Sequence, residues 1–222
     1  GTLTADKLAS LGKSAGTMSL VVDGKVYSTI NLKYNQPAPV VDPMVVDTFE
    51  DYYGDSDILN SAWSVGKGPG CSVIPELAEK RYEGEYALKF RYNLIPGGYA
   101  GITKSMNGAD WSSKNALQLW TVSDRKRQKV VILVTSGSNV FEVYLNNYEQ
   151  YNNATKPLLV TIPFSSFVGR DNPAAVFDPS NIQSFGLWCN TIVPEGTDAD
   201  TYTLSSVLYY DSIKAVSSDA QT

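Results

Sequence analysis

The 222-residue sequence predicts an all-β protein built as an antiparallel β-sandwich. Short segments rich in β-branched and aromatic residues recur along it, each bounded by glycine, proline, asparagine or aspartate. No helical period lasts beyond two turns, and closely spaced short strands are typical of sandwiches. The predicted strands are Val45–Phe49, Cys71–Ile74, Tyr86–Asn93, Tyr99–Ser105, Ala116–Val122, Lys129–Thr135, Asn139–Leu145, Leu158–Pro163, Ser184–Asn190 and Val207–Lys214.

The chain divides into three parts. In residues 1–36, Asp23-Gly24 separates two β-branched runs, which predicts a hairpin. Two strands do not make a stable sheet alone. The segment is therefore either the tail of a preceding immunoglobulin-like module or a hairpin that docks on the main domain. Residues 37–43 contain three prolines and are predicted to be an extended linker. The sandwich is expected to span 44–222.

Composition excludes several classes of function. There are 18 Lys and Arg, 23 Asp and Glu, and no histidine, so the formal net charge is −5. Without histidine there is no Ser-His-Asp triad and no His-ligated metal. An acidic chain without a basic run is a poor partner for nucleic acid, and no apolar run is long enough to span a membrane. Cys71 and Cys189 either form one bond or are both buried thiols.

Strand alternation predicts a face that carries aromatic and amide side chains together. Every second residue of a strand points to the same side. In each of four segments, one side is aliphatic and the other mixes a ring with amides or a carboxylate. If these strands share a sheet, they form a binding platform, with Trp63 flanking its cleft. The platform residues are Tyr99, Gln118, Trp120, Glu142, Tyr144, Trp188 and Asn190.

This mixture is what the recognition of neutral sugars requires. An aromatic ring packs against the C–H face of a pyranose, and amides or carboxylates bond its hydroxyls. The alternative is that the rings fill the core with their polar tips satisfied. Catalysis would need paired carboxylates across a cleft, and Glu142 is the one acid that we place on the platform. We therefore expect a binding protein and no enzyme.

Several motifs, in order along residues 44–216, resemble a known family. They are Val46–Asp55, Gly98–Ser105, Ala116–Trp120, Phe141–Tyr144, Thr161–Phe167, Ile182–Phe185 and Tyr210–Ile213. Together they are similar to carbohydrate-binding modules of bacterial glycoside hydrolases, of the mannanase-associated type related to the family 11 β-glucan-binding modules. The resemblance implies a jelly-roll (galactose-binding-like) fold that binds one glycan chain in a cleft on its concave sheet.

The resemblance also implies a structural Ca²⁺ ion near the meeting of the first and last strands. Glu50 and Asp211 are placed to supply carboxylate oxygens, Asp47 is a weaker candidate, and Arg81–Gly84 is a candidate loop. The alternative is that these acids lie on the surface.

The sequence departs from the family pattern at two points. Where the mannanase-linked pattern has a D-G-x-G-Q turn, this chain has the basic segment Ser123–Gln128, which lacks glycine. Asn146–Asn153 is an unusual insertion in which Tyr148 and Tyr151 either extend the cleft or decorate a loop.

We therefore expect non-catalytic binding of a neutral β-1,4-linked plant polysaccharide, β-mannan or glucomannan first and β-glucan second. Such a module would target an attached glycan-degrading or glycan-uptake protein, through linked catalytic or binding modules, in a bacterial secreted or cell-surface setting. The alternatives are a structural or adhesion sandwich that binds a protein, or a glycan-active enzyme.

Overall fold

The computed structural model describes residues 15–33, 42–79 and 82–219. At its start, β1 (Ala15–Val22) pairs with β2 (Lys25–Lys33) as a two-stranded antiparallel sheet. Asp23 and Gly24 both have positive φ, at 50° and 76°, as a tight hairpin turn requires. The hairpin prediction is confirmed. The rest of the predicted N-terminal segment and most of the predicted linker lie outside the described residues.

The remaining elements are mostly strands. There are two short α-helices, α1 (Ser56–Ala62) and α2 (Glu149–Asn153), and three 3₁₀ turns among the described residues. The strands are β3 (Val45–Asp47), β4 (Trp63–Lys67), β5 (Ser72–Ala78), β6 (Ala87–Leu94), β7 (Tyr99–Ala109), β8 (Ala116–Val122), β9 (Lys129–Ser136), β10 (Asn139–Tyr144), β11 (Leu158–Pro163), β12 (Val168–Gly169), β13 (Ile182–Asn190) and β14 (Leu204–Val216).

These strands form two six-stranded antiparallel sheets, which confirms the sandwich prediction. The front sheet has the order β12-β10-β9-β13-β7-β4. The back sheet has the order β11-β8-β14-β6-β5, with β3 beside β14. The first strand of the sandwich thus lies against the last, as the resemblance implied. No helix among the described residues is long and apolar enough to cross a membrane.

Alternation along each strand sorts side chains between the core and the outside. In β13, Phe185 and Leu187 are fully buried between the sheets, whereas Trp188 is partly exposed on the outer face of the front sheet. From the back sheet, Leu117 and Leu119 of β8 enter the same core. Burial of such side chains stabilises the fold by about 1.5–3 kcal/mol each.

Two front-sheet strands were not predicted. β4, Trp63-Ser64-Val65-Gly66-Lys67, lies at the edge of the sheet and shows no clean alternation of buried and exposed residues. β12 has only two residues. Both strands form because a neighbouring strand offers unpaired backbone N–H and C=O groups. A local sequence pattern does not reveal such pairing. α1 begins after Asp55, whose side chain accepts a hydrogen bond from the Asp57 amide as an N-cap does.

Candidate ligand-binding face

The outer face of the front sheet carries a pocket of about 330 Å³. It is lined by four residues of the predicted platform, together with three that were not predicted. The predicted ones are Tyr99, Glu142, Trp188 and Asn190, and the others are Val131, Leu133 and Arg170. They come from β7, β9, β10 and β13 and from the residue after β12, which are neighbours in the sheet.

Trp188 lies flat against the sheet because the positions beneath it are glycines. A Cβ atom on Gly101 would lie 2.2 Å from Trp188 Cδ2, and one on Gly66 would lie 2.4 Å from Cη2. A Cβ on Gly186 would lie 2.7 Å from Nε1. Each distance is far inside van der Waals contact. The three glycines therefore form a bed on which the indole rests, so one ring face turns outward.

Register places these groups in a row that crosses the strands. Trp188 pairs with Val131 on one side and with Gly101 on the other. Val131 pairs in turn with Tyr144, and Gly101 pairs with Gly66. The row is apolar and runs perpendicular to the strands, so an extended ligand on it would cross them.

Tyr99 makes one wall of the pocket. Its ring centroid lies 6.2 Å from that of Trp188, at an interplanar angle of 45°, and its side chain is 46% exposed. Asn190 pairs with Tyr99 in the sheet register and presents its amide beside the two rings. Aromatic faces and a planar amide thus meet in one place, as recognition of sugar hydroxyls and C–H faces requires.

The opposite edge of the pocket is charged. The Tyr144 hydroxyl donates to Glu142 Oε1, and Lys129 Nζ lies 4.0 Å from the centre of the Tyr144 ring. That cation covers one face of the ring, so Tyr144 acts as a support for Glu142 more than as a stacking surface. Arg170 is bonded to Asp171, and this bond holds the pKa of Arg170 above its ordinary value. The two cations and two carboxylates of this edge balance each other.

Gln118 and Trp120 are not part of this face. Both lie on β8 in the back sheet, so the prediction that they share the platform was wrong. Alternation assigns a side chain to one side of its own strand, but it does not say which sheet that strand joins. Trp120 stacks on Tyr82 with centroids 5.9 Å apart and donates to Glu83 Oε1 at 3.1 Å. Gln118 Nε2 donates to Thr161 at 3.0 Å.

Trp63 does not flank the cleft. It is 1% exposed, packs in the core against Phe185, and donates from Nε1 to Asp47 Oδ2 at 2.8 Å. The side of β4 that carries Trp63 faces the back sheet, because Trp63 pairs with the inward-facing Lys104.

Two of the three predicted metal ligands lie near one loop. Glu50 Oε1 accepts from the backbone amides of Glu85 and Tyr86 at 2.8 and 2.9 Å. Asp211 Oδ2 accepts from the amides of Tyr82 and Glu83. Burial raises the pKa of Asp211, and the charge of Glu50 adds to that effect.

The donor set suits a hard cation. Asp211 Oδ1 is buried and has no hydrogen-bond partner, whereas a bound cation would satisfy it. Gly84 approaches Glu50 so closely that a Cβ there would lie 2.2 Å from Oε1. Of the candidate loop Arg81–Gly84, residue 81 falls outside the described part of the chain.

Asp47 is not a metal ligand, which corrects the third assignment. Its carboxylate is 5% exposed and accepts from Lys104 Nζ at 2.8 Å, from Trp63 Nε1, and from the amide of Phe49. The Tyr52 hydroxyl also donates to it. Both oxygens of Asp47 therefore already accept hydrogen bonds, and the charge of the Lys104 ammonium opposes the approach of a second cation. Among the described residues, no three acids or cysteines converge on a metal-binding position.

A larger cavity, about 760 Å³, opens at one end of the sandwich between β3, α1 and β7. The buried Asp47 and Tyr52 and the partly buried Lys104, which line it, are already bonded to one another. Satisfied polar groups leave little for a ligand to gain. We therefore assign the ligand-binding face to the front sheet.

Several residues that shape this face have no recognisable signal in the sequence. Gly101 lies beneath the Trp188 indole, but nothing in the local pattern showed that an indole lies over it. Arg170 follows a two-residue strand and carries no sequence signal. Val131 and Leu133 alternate with core residues of β9 and look like ordinary strand residues.

The carbohydrate-binding domain (family 11) matches residues 35–184 of the chain. A mannan endo-1,4-β-mannosidase of Bifidobacterium adolescentis is 24% identical over 171 residues, a match that covers 74% of this chain and 17% of that enzyme. The chain therefore spans only a small part of the length of that relative.

Solved structures show the same fold. The family 11 carbohydrate-binding module of a cellulosomal cellulase from Clostridium thermocellum has a TM-score of 0.57 at 18% identity, over 80% of this chain and 96% of that module. A family 11 module from the same organism, in complex with a β-1,3-1,4-mixed-linked tetrasaccharide, has a TM-score of 0.57 at 17% identity, over 78% and 95%. Since the family match covers well over half of the sequence, the chain belongs to the carbohydrate-binding domains of family 11.

Proposed function

We propose that this domain binds one chain of a neutral β-1,4-linked polysaccharide across its front sheet, without catalysis. The observation that carries the proposal is the indole of Trp188, held flat on three glycines with one face outward. A pyranose ring that stacks on this face would place its hydroxyls beside Asn190 and Glu142, which line the same pocket. The row of Tyr144, Val131, Trp188, Gly101 and Gly66 supports a path that crosses the strands.

The choice of polysaccharide is β-mannan or glucomannan first and β-glucan second. The relative from Bifidobacterium is a mannan endo-1,4-β-mannosidase, and one solved family 11 structure holds a mixed-linked β-glucan tetrasaccharide. Both ligands are uncharged, and the charges at the edge of the pocket cancel. A surface without net charge does not attract its ligand electrostatically over a distance, so it selects the ligand by stacking and hydrogen bonds.

Two observations support a role in binding rather than hydrolysis. A glycosidase needs two carboxyl groups at about 5 Å or 6.5–9.5 Å across the scissile bond. Among the described residues that line the pocket, Glu142 is the one acid, and Tyr144 already donates to it. In this proposal the domain tethers an attached glycan-degrading or glycan-uptake protein, secreted or at a bacterial cell surface, to its polymer and so raises its local concentration.

A calcium ion bound by Glu50 and Asp211 is a further part of the proposal. It would satisfy the buried Asp211 Oδ1 and join the last strand to the loop at 82–86. Removal of calcium with EGTA should lower the thermal midpoint, and Asp211→Asn should lose the response to added Ca²⁺. An identical midpoint with and without calcium would contradict this part alone.

Affinity electrophoresis in gels that contain glucomannan, galactomannan or mixed-linkage glucan tests the main proposal. We expect retardation of the wild type and its loss in Trp188→Ala. Trp120→Ala is the matched control, because it removes a partly exposed indole from the opposite sheet and should leave retardation unchanged. No retardation of the folded wild type in any gel would refute the proposal, and equal loss in both variants would refute the assignment of the face.

A further inference from the structure

A second pocket, of about 440 Å³, adjoins the face that carries Trp188. It lies at the ends of the strands that line the first pocket: Asn146 comes two residues after Tyr144, and Ile192 two residues after Asn190. Its lining is Arg127, Asn146, Asn147, Glu149, Asn152, Asn153 and Ile192. Two segments that depart from the family pattern, the basic turn at 123–128 and the insertion at 146–153, thus meet across one pocket.

The insertion forms a fixed wall of this pocket. Tyr151 in α2 is 1% exposed and anchors the segment in the core. Asn146 Nδ2 donates to Asn152 Oδ1 at 3.1 Å, Asn152 Nδ2 donates to the Asn146 carbonyl at 2.6 Å, and Asn146 Oδ1 accepts from the Val130 amide. The wall is therefore built into the fold. The Tyr151 ring is buried, so it neither extends the cleft nor decorates a loop, which were the two alternatives that the sequence left open.

The facing wall is held by Gln128, which is 2% exposed. Its side chain accepts from the Ile192 amide at 2.7 Å and donates to the Ile192 carbonyl at 3.1 Å. It also contacts the Tyr202 hydroxyl at 3.2 Å. Ile192 is thereby kept at the rim with 47% of its surface exposed. Arg127, the residue before Gln128, lines the same pocket.

Two arginines of the basic turn lie in a strained backbone conformation. Arg125 and Arg127 have φ of 58° and 56°, a region that favours glycine and costs other residues energy. Glycine at both positions would relieve this strain. Residues held in such conformations cluster at functional sites. Arg127 lines the pocket, whereas Arg125 does not line it.

The free polar groups of the pocket match an uncharged, hydroxyl-rich ligand. Arg127 and Glu149 cancel in charge, and both are exposed. Asn147 and Asn153 are exposed amides, so the four side chains offer planar donors and acceptors. Ile192 adds an apolar surface for a C–H face.

The direction of the pocket from Trp188 suggests which part of a glycan it takes. The row of residues from Tyr144 to Gly66, under the proposed main chain, crosses the strands. The second pocket instead lies two to four residues farther along the strands than this row, a distance of about 7–13 Å. A group that reaches it must leave the main chain sideways. We propose, resting on the proposed function, that this pocket binds a short uncharged sugar branch of the glycan whose main chain stacks on Trp188.

Isothermal titration calorimetry with two pairs of ligands tests this. One pair is a β-1,4-manno-oligosaccharide with and without a galactosyl branch, and the other is a cello-oligosaccharide with and without a xylosyl branch. We expect the wild type to bind one branched member about fivefold to tenfold more tightly than its unbranched partner. Arg127→Gly and Asn153→Ala should bring that affinity down to the unbranched value and leave the unbranched ligand unaffected.

Arg125→Gly is the matched control, since it relieves the same backbone strain outside the pocket. It should keep the branch preference, and neither glycine variant should lower the thermal midpoint. Equal binding of branched and unbranched ligands by the wild type would overturn the inference and leave the proposed function intact. Equal loss of the branch preference in Arg125→Gly and Arg127→Gly would also overturn it. If neither ligand class binds at all, the proposed function fails with it.

Discussion

Gly101→Ala should weaken glycan binding without weakening the fold. The new Cβ would lie 2.2, 2.5 and 2.6 Å from Cδ2, Cε3 and Cγ of Trp188. Carbon atoms in contact prefer about 3.5–4.0 Å, so the indole must lift or tilt by about 1.5 Å. The backbone at Gly101 has no positive φ, so alanine is not strained there and, in a strand, favours folding by about 0.5–1 kcal/mol.

The expected loss of affinity follows from the displaced ring. A stack on an aromatic side chain contributes about 1–3 kcal/mol when measured on nucleic acid bases, and a tilted indole keeps only part of such a contact. We expect about 1.4 kcal/mol of lost binding free energy, or a tenfold higher Kd for a manno- or cello-oligosaccharide. Calorimetry measures the affinity, and tryptophan emission should shift to the red as the ring becomes more exposed.

Gly68→Ala is the graded control, because its Cβ would lie 3.3 Å from the Tyr99 ring and requires a shift of only a few tenths of an ångström. A double-mutant cycle isolates the mechanism: in a Trp188→Ala background, Gly101→Ala should have no further effect on binding. Wild-type affinity in Gly101→Ala, or an additive loss in the cycle, would refute the glycine bed as the device that positions the indole.

Three further predictions concern the body of the domain. Asp47→Ala leaves Lys104 without its buried partner and should lower the free energy of unfolding by about 3–5 kcal/mol in urea titrations; a change below 1 kcal/mol would contradict this. Partial burial acts to raise the pKa of Glu76, but hydrogen bonds and charges from two cations on β6 hold it below its ordinary value. The ion pairs of Glu76 therefore contribute about 0.2–1 kcal/mol of stability above the ordinary pKa of about 4.3. This contribution is lost as the pH falls through the lower pKa of the folded state, so the free energy of unfolding of Glu76→Gln should depend less on pH between 6 and 3. Cys71 and Cys189 are buried free thiols, and burial raises the pKa of Cys189, so Ellman's reagent should detect neither in the native protein and both in guanidinium chloride.

The ten predicted strands of the sandwich all appear, with ends that shift by a few residues. β8 and β11 match the prediction at both ends, whereas β14 runs from 204 to 216 where 207–214 was expected. Each of these strands has its own β-branched content and flanking turn residues, which are local features. The edge strand β4 lacks such a signal and depends on pairing with β7.

Four of the seven residues of the predicted platform line the pocket. The prediction was incomplete because alternation is a local signal and does not report which strands pair. Alternation identified the outward residues of β7, β10 and β13 correctly, and the register brings Tyr99, Glu142, Trp188 and Asn190 together. Alternation also placed Trp120 on the platform, although β8 pairs with β11 and β14 in the other sheet. A period of two residues reports the side of a strand and carries no information on its neighbours.

Local sequence patterns were enough to predict the β-sandwich, the absence of histidine chemistry, the outward side of each main strand and the kind of side chains available for a neutral ligand. Which of those side chains meet depends on the tertiary structure. Strand pairing joins residues that lie far apart in the chain, such as Gly66, Gly101 and Trp188. The pairing is selected by the packing of the whole core, so no local pattern could show that three glycines would lie beneath one indole.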